Sequence, residues 1–154
     1  MFRLYVRYVA LRRPCLLIYW AVVTSVCLIG AFAVRADDAD APWVAPDDAR
    51  KVQNPVKPTP ENLAEAAHLY KLNCAGCHGV KGDGNGAAAE GLPKKPANFT
   101  DAKMMKEATD GELFWKITTG RPPMPTWESL PETQRWELVN YVRTFSAKAG
   151  TKAQ

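Results

Sequence analysis

Eleven consecutive residues, 76–86, contain five glycines, and RPPMPTW at 121–127 sets three prolines around one methionine. Neither stretch suits regular structure, because glycine forfeits too much backbone entropy and proline removes the amide that a helix needs. The helices must fit between them. Thr59-Pro60-Glu61 opens one, with Thr59 as N-cap, Pro60 at the first helical position and Glu61 facing the positive end of the dipole. Leu63, Ala66, Ala67 and Tyr70 repeat at i, i+3, i+4 and i+7, and this helix should end near Asn73. A helical turn is expected over Asp101 to Lys106. Thr109-Asp-Gly-Glu112 reads as a capping box whose helix, through Leu113, Phe114 and Ile117, stops at Gly120. Ser129-Leu-Pro-Glu132 reads as a second box, opening a helix with Leu138, Tyr141, Val142 and Phe145 on one face. No run alternates convincingly, so the fold class is all-α: a small domain of three main helices and long loops. A domain of under 100 residues with about half its chain in loops buries little apolar surface. Something besides its own side chains should fill its centre.

The chain ahead of this domain is of a different kind. Residues 1–36 carry five arginines (Arg3, Arg7, Arg12, Arg13, Arg35) and no acidic residue. Pro14 to Val34 is an uncharged run of 21 residues, with an A-x-A site at Ala31–Ala33 near its end and a second candidate at Val34–Ala36. The run is long for a cleaved signal peptide and long enough to span a bilayer. Both readings, signal peptide or uncleaved anchor, leave the Arg cluster in the cytoplasm and put everything after residue 36 across the membrane. The expectation is a periplasmic protein, soluble after cleavage, or one anchored to the inner membrane through residues 14–34. Cys15 and Cys27 read as apolar filler within that run.

The leader also explains the net charge of +4. Of 20 Lys and Arg, five lie in 1–36, which leaves 15 basic against 16 acidic side chains beyond it. A nucleic-acid binder concentrates its basic residues on the folded part, so that class is excluded. Residues 37–59 form a linker rich in Pro and Asp, expected to be extended or loosely packed, with Trp43 and Val44 as candidates to dock. The folded domain is expected over 60–148, with a short tail at 149–154, and nothing points beyond a monomeric domain.

The chemistry lies at Cys74-Ala75-Gly76-Cys77-His78, the C-x-x-C-H pattern of c-type haem attachment. Two thiols at this spacing can each add across one haem vinyl group, and the following His is then held beneath the iron. A thioredoxin-like reading wants a βαβ setting, and a zinc site wants a further pair of ligands, yet no Cys or His follows residue 78. A disulfide would leave His78 unexplained. For a second axial ligand the candidates are Met124 in its proline-rich loop, Met104 and Met105 on a helical turn where core filling is the commoner role, and His68 on the first helix.

From about Pro60 to Ala147 the chain resembles a class I mono-haem cytochrome c. The resemblance rests on the helix running into CAGCHG, the loop GVKGDGNGAAAEGL, the segment TDGELFWKITTG, the Met124-Pro125 pair and the closing helix RWELVNYVRTF. It implies one covalent haem c held by Cys74 and Cys77, with His78 and Met124 as iron ligands. It also implies that the first and last helices cross, with Ala67 or Tyr70 against Tyr141. The carbonyl that receives the His78 Nδ1 proton is placed at Ala87, where many relatives carry Pro. Trp127 and Arg121, flanking Met124, are candidate partners for a haem propionate, and Lys71, Lys81, Lys94 and Lys95 for a basic docking patch. The other aromatic residues read as core and haem packing.

An iron with both axial positions filled has no place for a substrate. The expected function is therefore one-electron transfer between exported or membrane-bound respiratory redox partner proteins, without enzymatic activity. The alternative is a haem-bearing electron-transfer subunit of a larger oxidoreductase or terminal oxidase. A haem enzyme or gas sensor with an open iron site stands third, since no acid–base pair sits in a recognisable motif.

Overall fold

The computed structural model describes residues 42–151; the leader at 1–36, with both of its readings, lies outside them. Six α-helices occur among the described residues: α1 Asp47–Lys51, α2 Pro60–Asn73, α3 Ala75–His78, α4 Ala102–Glu107, α5 Asp110–Thr119 and α6 Glu132–Thr151. A 3-10 turn covers Ala87–Ala89. The described residues contain no strand, only an isolated bridge between Arg121 and Met124. The fold is all-α, and none of the described helices is long and apolar enough to cross a membrane.

The capping residues act as their sequence demands. Asn62 N donates to Thr59 Oγ1 at 3.3 Å and Thr59 N donates to Asn62 Oδ1 at 2.9 Å, a reciprocal capping box at the start of α2. Thr109 Oγ1 accepts from Glu112 N at 3.1 Å to start α5, but the Glu112 carboxylate pairs with Lys116 and Arg50 instead of returning to Thr109 N, so only half of that expected box forms; Gly120 ends the helix in the left-handed region. Asp101 caps α4 by accepting from Lys103 N and Met104 N. The second expected box departs from the sequence reading. Leu130 N bonds back to Trp127 O, and α6 begins only at Glu132, where Arg135 N donates to Pro131 O. Ser129 and Leu130 are thereby held in a turn, and the helix starts after the proline rather than before it.

α2 and α6 make the principal packing of the domain. Ala66 and Tyr70 of α2 and Leu138, Val139 and Val142 of α6 are all buried. The Tyr70 and Tyr141 rings lie 5.3 Å apart, so the expected crossing contact is present. Trp136 is buried too and stacks on Phe114 of α5 at 3.9 Å. Fully burying residues of this size stabilises by about 1.5–3 kcal/mol each. Arg143 of α6 fastens the α4–α5 corner: its guanidinium pairs with Asp110 at 2.7 Å and donates to the carbonyls of Ala108, at 2.6 Å, and Met105.

The linker packs more closely than its composition suggests. Residues 43–52 carry α1 and lie along α5 in the antiparallel sense, Trp43 near Trp115 and Arg50 near Glu112. Ala45 is buried, and Gly111 leaves room that any side chain would fill, since a Cβ there would strike the carbonyls of Ala49 and Val52. Asn54 and Asn140 pair through their amides, Asn54 Nδ2 donating to Asn140 Oδ1 at 2.9 Å and to Trp136 O at 3.1 Å. Asn140 Nδ2 in turn donates to Val56 O at 2.8 Å. Side-chain amides thus supply the order that the prolines withhold from the backbone.

Candidate haem site

α3 is one helical turn, made of the motif itself. Cys77 N and His78 N both donate to Cys74 O, at 3.2 and 2.9 Å, and Cys74 N continues the ladder of α2 through Tyr70 O at 2.8 Å. This sets the two thiols and the imidazole on a single turn at the end of α2. Both cysteines are free thiols.

The glycine loop folds back on that turn. Gly84 N donates to His78 O at 2.9 Å and Gly86 N to Cys77 O at 3.1 Å, so two carbonyls left over by the short helix are satisfied. A Cβ at Gly86 would collide with the Gly76 carbonyl, which fixes glycine at that position. Gly82 lies flat against Phe145 of α6, and Phe99 N returns the chain to Gly82 O at 2.6 Å. The Tyr70 hydroxyl donates to Gly79 O at 2.8 Å, tying the loop to the α2–α6 crossing. Desolvation holds the Tyr70 phenol well above its ordinary pKa, so it remains a donor.

His78 Nδ1 lies 3.2 Å from Ala97 O, and the ring stacks on Phe99 with centroids 4.7 Å apart. This corrects the acceptor expected from the resemblance. Ala87 begins the 3-10 turn instead, and Ala97, preceded by Pro96, supplies the carbonyl. The segment 96–99 can do so because it runs beside the glycine loop, where Pro96 O faces Gly84. With Nδ1 committed, Nε2 is the nitrogen left for a metal. Burial draws the imidazole below its ordinary pKa against the Ala97 bond, and burial pushes the Cys74 thiol up to about 11, with Cys77 adding to the shift.

Met124 belongs to a separate loop. Its amide donates to Arg121 O at 2.8 Å in a tight turn. The chain beyond is tied to α5 and α6: Thr126 Oγ1 donates to Thr118 O at 2.6 Å, Trp127 N to Ile117 O at 3.2 Å, and Arg135 to Thr118 Oγ1 and Leu130 O. The Met124 side chain is half-buried. Of the other candidates, Met105 is fully buried in the core with Met104 packed against that core, and His68 is exposed on α2. Lys71, Lys81, Lys94 and Lys95 are all exposed. Between the first two of these, Leu72 and Val80 stand 67% and 71% exposed on either side of the cysteine turn. The sequence reading passed over them, although an apolar residue next to each of two lysines was the available signal.

The residues fit a haem. Two free thiols and a histidine with one nitrogen already engaged share one turn, and Leu69, Phe99, Phe114, Ile117 and Tyr141 pack on the core while remaining only half-covered. Among the described residues no cluster of three or more His, Cys, Asp or Glu offers a competing metal site.

Fold and comparisons together define a cytochrome c, a haem protein of electron transfer. Residues 61–142 match the model of the family described as cytochrome c oxidase, cbb3-type, subunit III, and the chain belongs to that family. No curated protein matches the chain. Among solved structures it is similar to a chain of the Kuenenia stuttgartiensis reducing HAO-like protein complex Kustc0457/Kustc0458. The two share 33% identity with a TM-score of 0.53 over 61% of this chain, which spans about half (49%) of that one. A second similar structure is the KustC0563 c-type cytochrome, at 32% identity and a TM-score of 0.45, covering 52% of this chain and 95% of that one.

Proposed function

We propose that the protein is a class I mono-haem cytochrome c that carries single electrons between exported or membrane-bound respiratory redox proteins. The carrying observation is the Cys74–His78 turn, where two free thiols adjoin an imidazole whose Nδ1 faces Ala97 O. Cys74 and Cys77 would hold the ring through two thioethers, and His78 and Met124 would hold its iron. When bound, haem supplies a reversible one-electron iron couple. The chain's own part is to orient and to exclude. The Ala97 carbonyl orients the imidazole and raises its basicity, and the Phe99 ring, stacked on His78 with Tyr70 beside it, covers one face of the imidazole. Met124 would supply a thioether where a second nitrogen ligand would otherwise serve, which would favour the reduced iron and raise the potential.

The support for Met124 is its loop. Pro122, Pro123 and Pro125 restrict the backbone before any ligand binds, so presenting the sulfur costs little further ordering. Residues 1–36, with their arginines and uncharged run, support export of the haem domain to the periplasm, either free after cleavage or tethered to the inner membrane.

The test is Met124→Ala in the full, haem-loaded chain. It should keep the covalent haem, lose the weak sulfur-to-iron band of the ferric form, lower the potential and admit carbon monoxide to the ferrous iron. Survival of the band in Met124→Ala, with its loss in Met104→Leu/Met105→Leu, would move the ligand to the core methionines. A second reading, a haem-bearing subunit of a larger oxidoreductase or terminal oxidase, is favoured by the match to an oxidase subunit family. Co-purification of the native chain with an oxidase complex selects it.

A further inference from the structure

Trp43 stands far outside the cysteine turn in sequence, yet it touches the base of the Met124 loop. Its ring packs on Trp115 of α5 at 6.2 Å between centroids, and two cations face it, Lys116 at 5.6 Å and Arg121 at 5.8 Å. Arg121 is the residue that pairs with Met124 across the tight turn, its carbonyl accepting the Met124 amide at 2.8 Å. Behind Trp43 the segment does not float. Ala45 is buried, Arg50 reaches Glu112 at 3.7 Å, and Asn54 is fixed to α6 at Trp136 O and Asn140. Glu112 is also paired with Lys116 at 2.6 Å, so the cation over the ring is itself held in place.

We infer that Trp43 is a positioning residue for the sixth ligand: its ring, seated against Trp115 of α5, gathers Arg121 and thereby steadies the turn that presents Met124. The inference rests on the reading of Met124 as an iron ligand. Three prolines limit the shapes the loop can take but do not fix where the loop sits on the body of the protein. Thr126, Trp127 and Arg135 fix its far side. On the near side, the cation–ring contact ties Arg121 to a part of the chain outside the loop. A cation over an indole face is attracted by the ring's quadrupole, and the attraction strengthens where water is partly excluded, as at a half-buried Trp43. Losing an anchor of that strength should let the loop lift about five- to tenfold more often.

Imidazole exchange measures that lifting, because free imidazole can bind ferric iron only after the sulfur has left. The comparison uses full-length, haem-loaded protein: wild type, Trp43→Ala, Trp43→Leu and Asn54→Ala. Trp43→Leu keeps apolar packing against Trp115 while removing the ring face, which guards against a variant that simply fails to fold. Both Trp43 variants should take up imidazole about five- to tenfold faster than wild type and show a weaker sulfur-to-iron band. Asn54→Ala, which loosens the far end of the strap, should lower the melting temperature and leave exchange within about twofold of wild type. A wild-type band with unchanged exchange in both Trp43 variants overturns the inference alone. Equal acceleration in Asn54→Ala and the Trp43 variants overturns it too, since Trp43 would then be one stabilising contact among several. A wild type that lacks the band and takes up imidazole as fast as Met124→Ala overturns the ligand reading, and this inference with it.

Discussion

Residues 79–99 take their shape mainly from backbone bonds made close at hand, whereas residues 120–130 depend as well on side chains, some of which reach in from elsewhere. In the first loop the amides of Gly82, Gly84, Gly86 and Phe99 find carbonyls within the same stretch of chain or on the adjoining turn. In the second, the backbone bonds of Met124, Trp127 and Leu130 are joined by side-chain ties from Thr126, Arg135 and Trp43, and two of those three lie on other parts of the chain. The difference has a physical origin. Glycine reaches the left-handed region and lets backbones approach closely, so a glycine-rich loop can satisfy its own polar groups. A proline-rich loop has given up amides and must be held by its neighbours.

The first loop should accordingly fail all at once and the second by degrees. Replacing both cysteines, Cys74→Ala/Cys77→Ala, is expected to have the largest effect: no covalent haem by intact mass, and most helicity lost by circular dichroism. The small apolar core explains the severity, because few large side chains are fully buried without help. Gly86→Ala comes next. Its methyl would meet the Gly76 carbonyl, so the haem turn must shift, at about 2–3 kcal/mol and a visibly lower melting temperature. Thr126→Val is the mildest. It deletes two bonds of the side chain, the short one to Thr118 O and the longer one accepted from Glu128 N, and should cost about 1–2 kcal/mol, with the sulfur-to-iron band weakened but present. If Thr126→Val proved as damaging as Gly86→Ala, the contrast between the two loops would collapse.

The same contrast explains what could be read without coordinates. The Thr59 and Thr109 caps, the α2 face through Tyr70 and the cysteine turn are local patterns, and each appears in the structure where its residues put it. The start of α6 was misread because Ser129 and Glu132 have the right spacing, while Pro131 and the Trp127–Leu130 turn decide where the helix can begin. Ala97 as the acceptor for His78, and the strap from Trp43 to Val56, were hidden for a different reason. Both depend on which distant segments come to lie side by side, and no spacing rule reports that. Asn54 looked like one more polar residue between prolines until Asn140 was placed opposite it.

The hydroxyl of Tyr70 on Gly79 O and the ring of Phe145 under Gly82 have a consequence for motion. Both aromatic residues belong to the crossing of α2 and α6, so the loop cannot lift from the cysteine turn while that crossing stays closed. A partial opening that bares the attachment site is therefore not among the inexpensive fluctuations of this chain; the turn and the helix pair open as one cooperative unit. Damage near the C-terminal end of the domain is then felt at the cysteines, not as a frayed tail but as a haem pocket that comes apart with the fold.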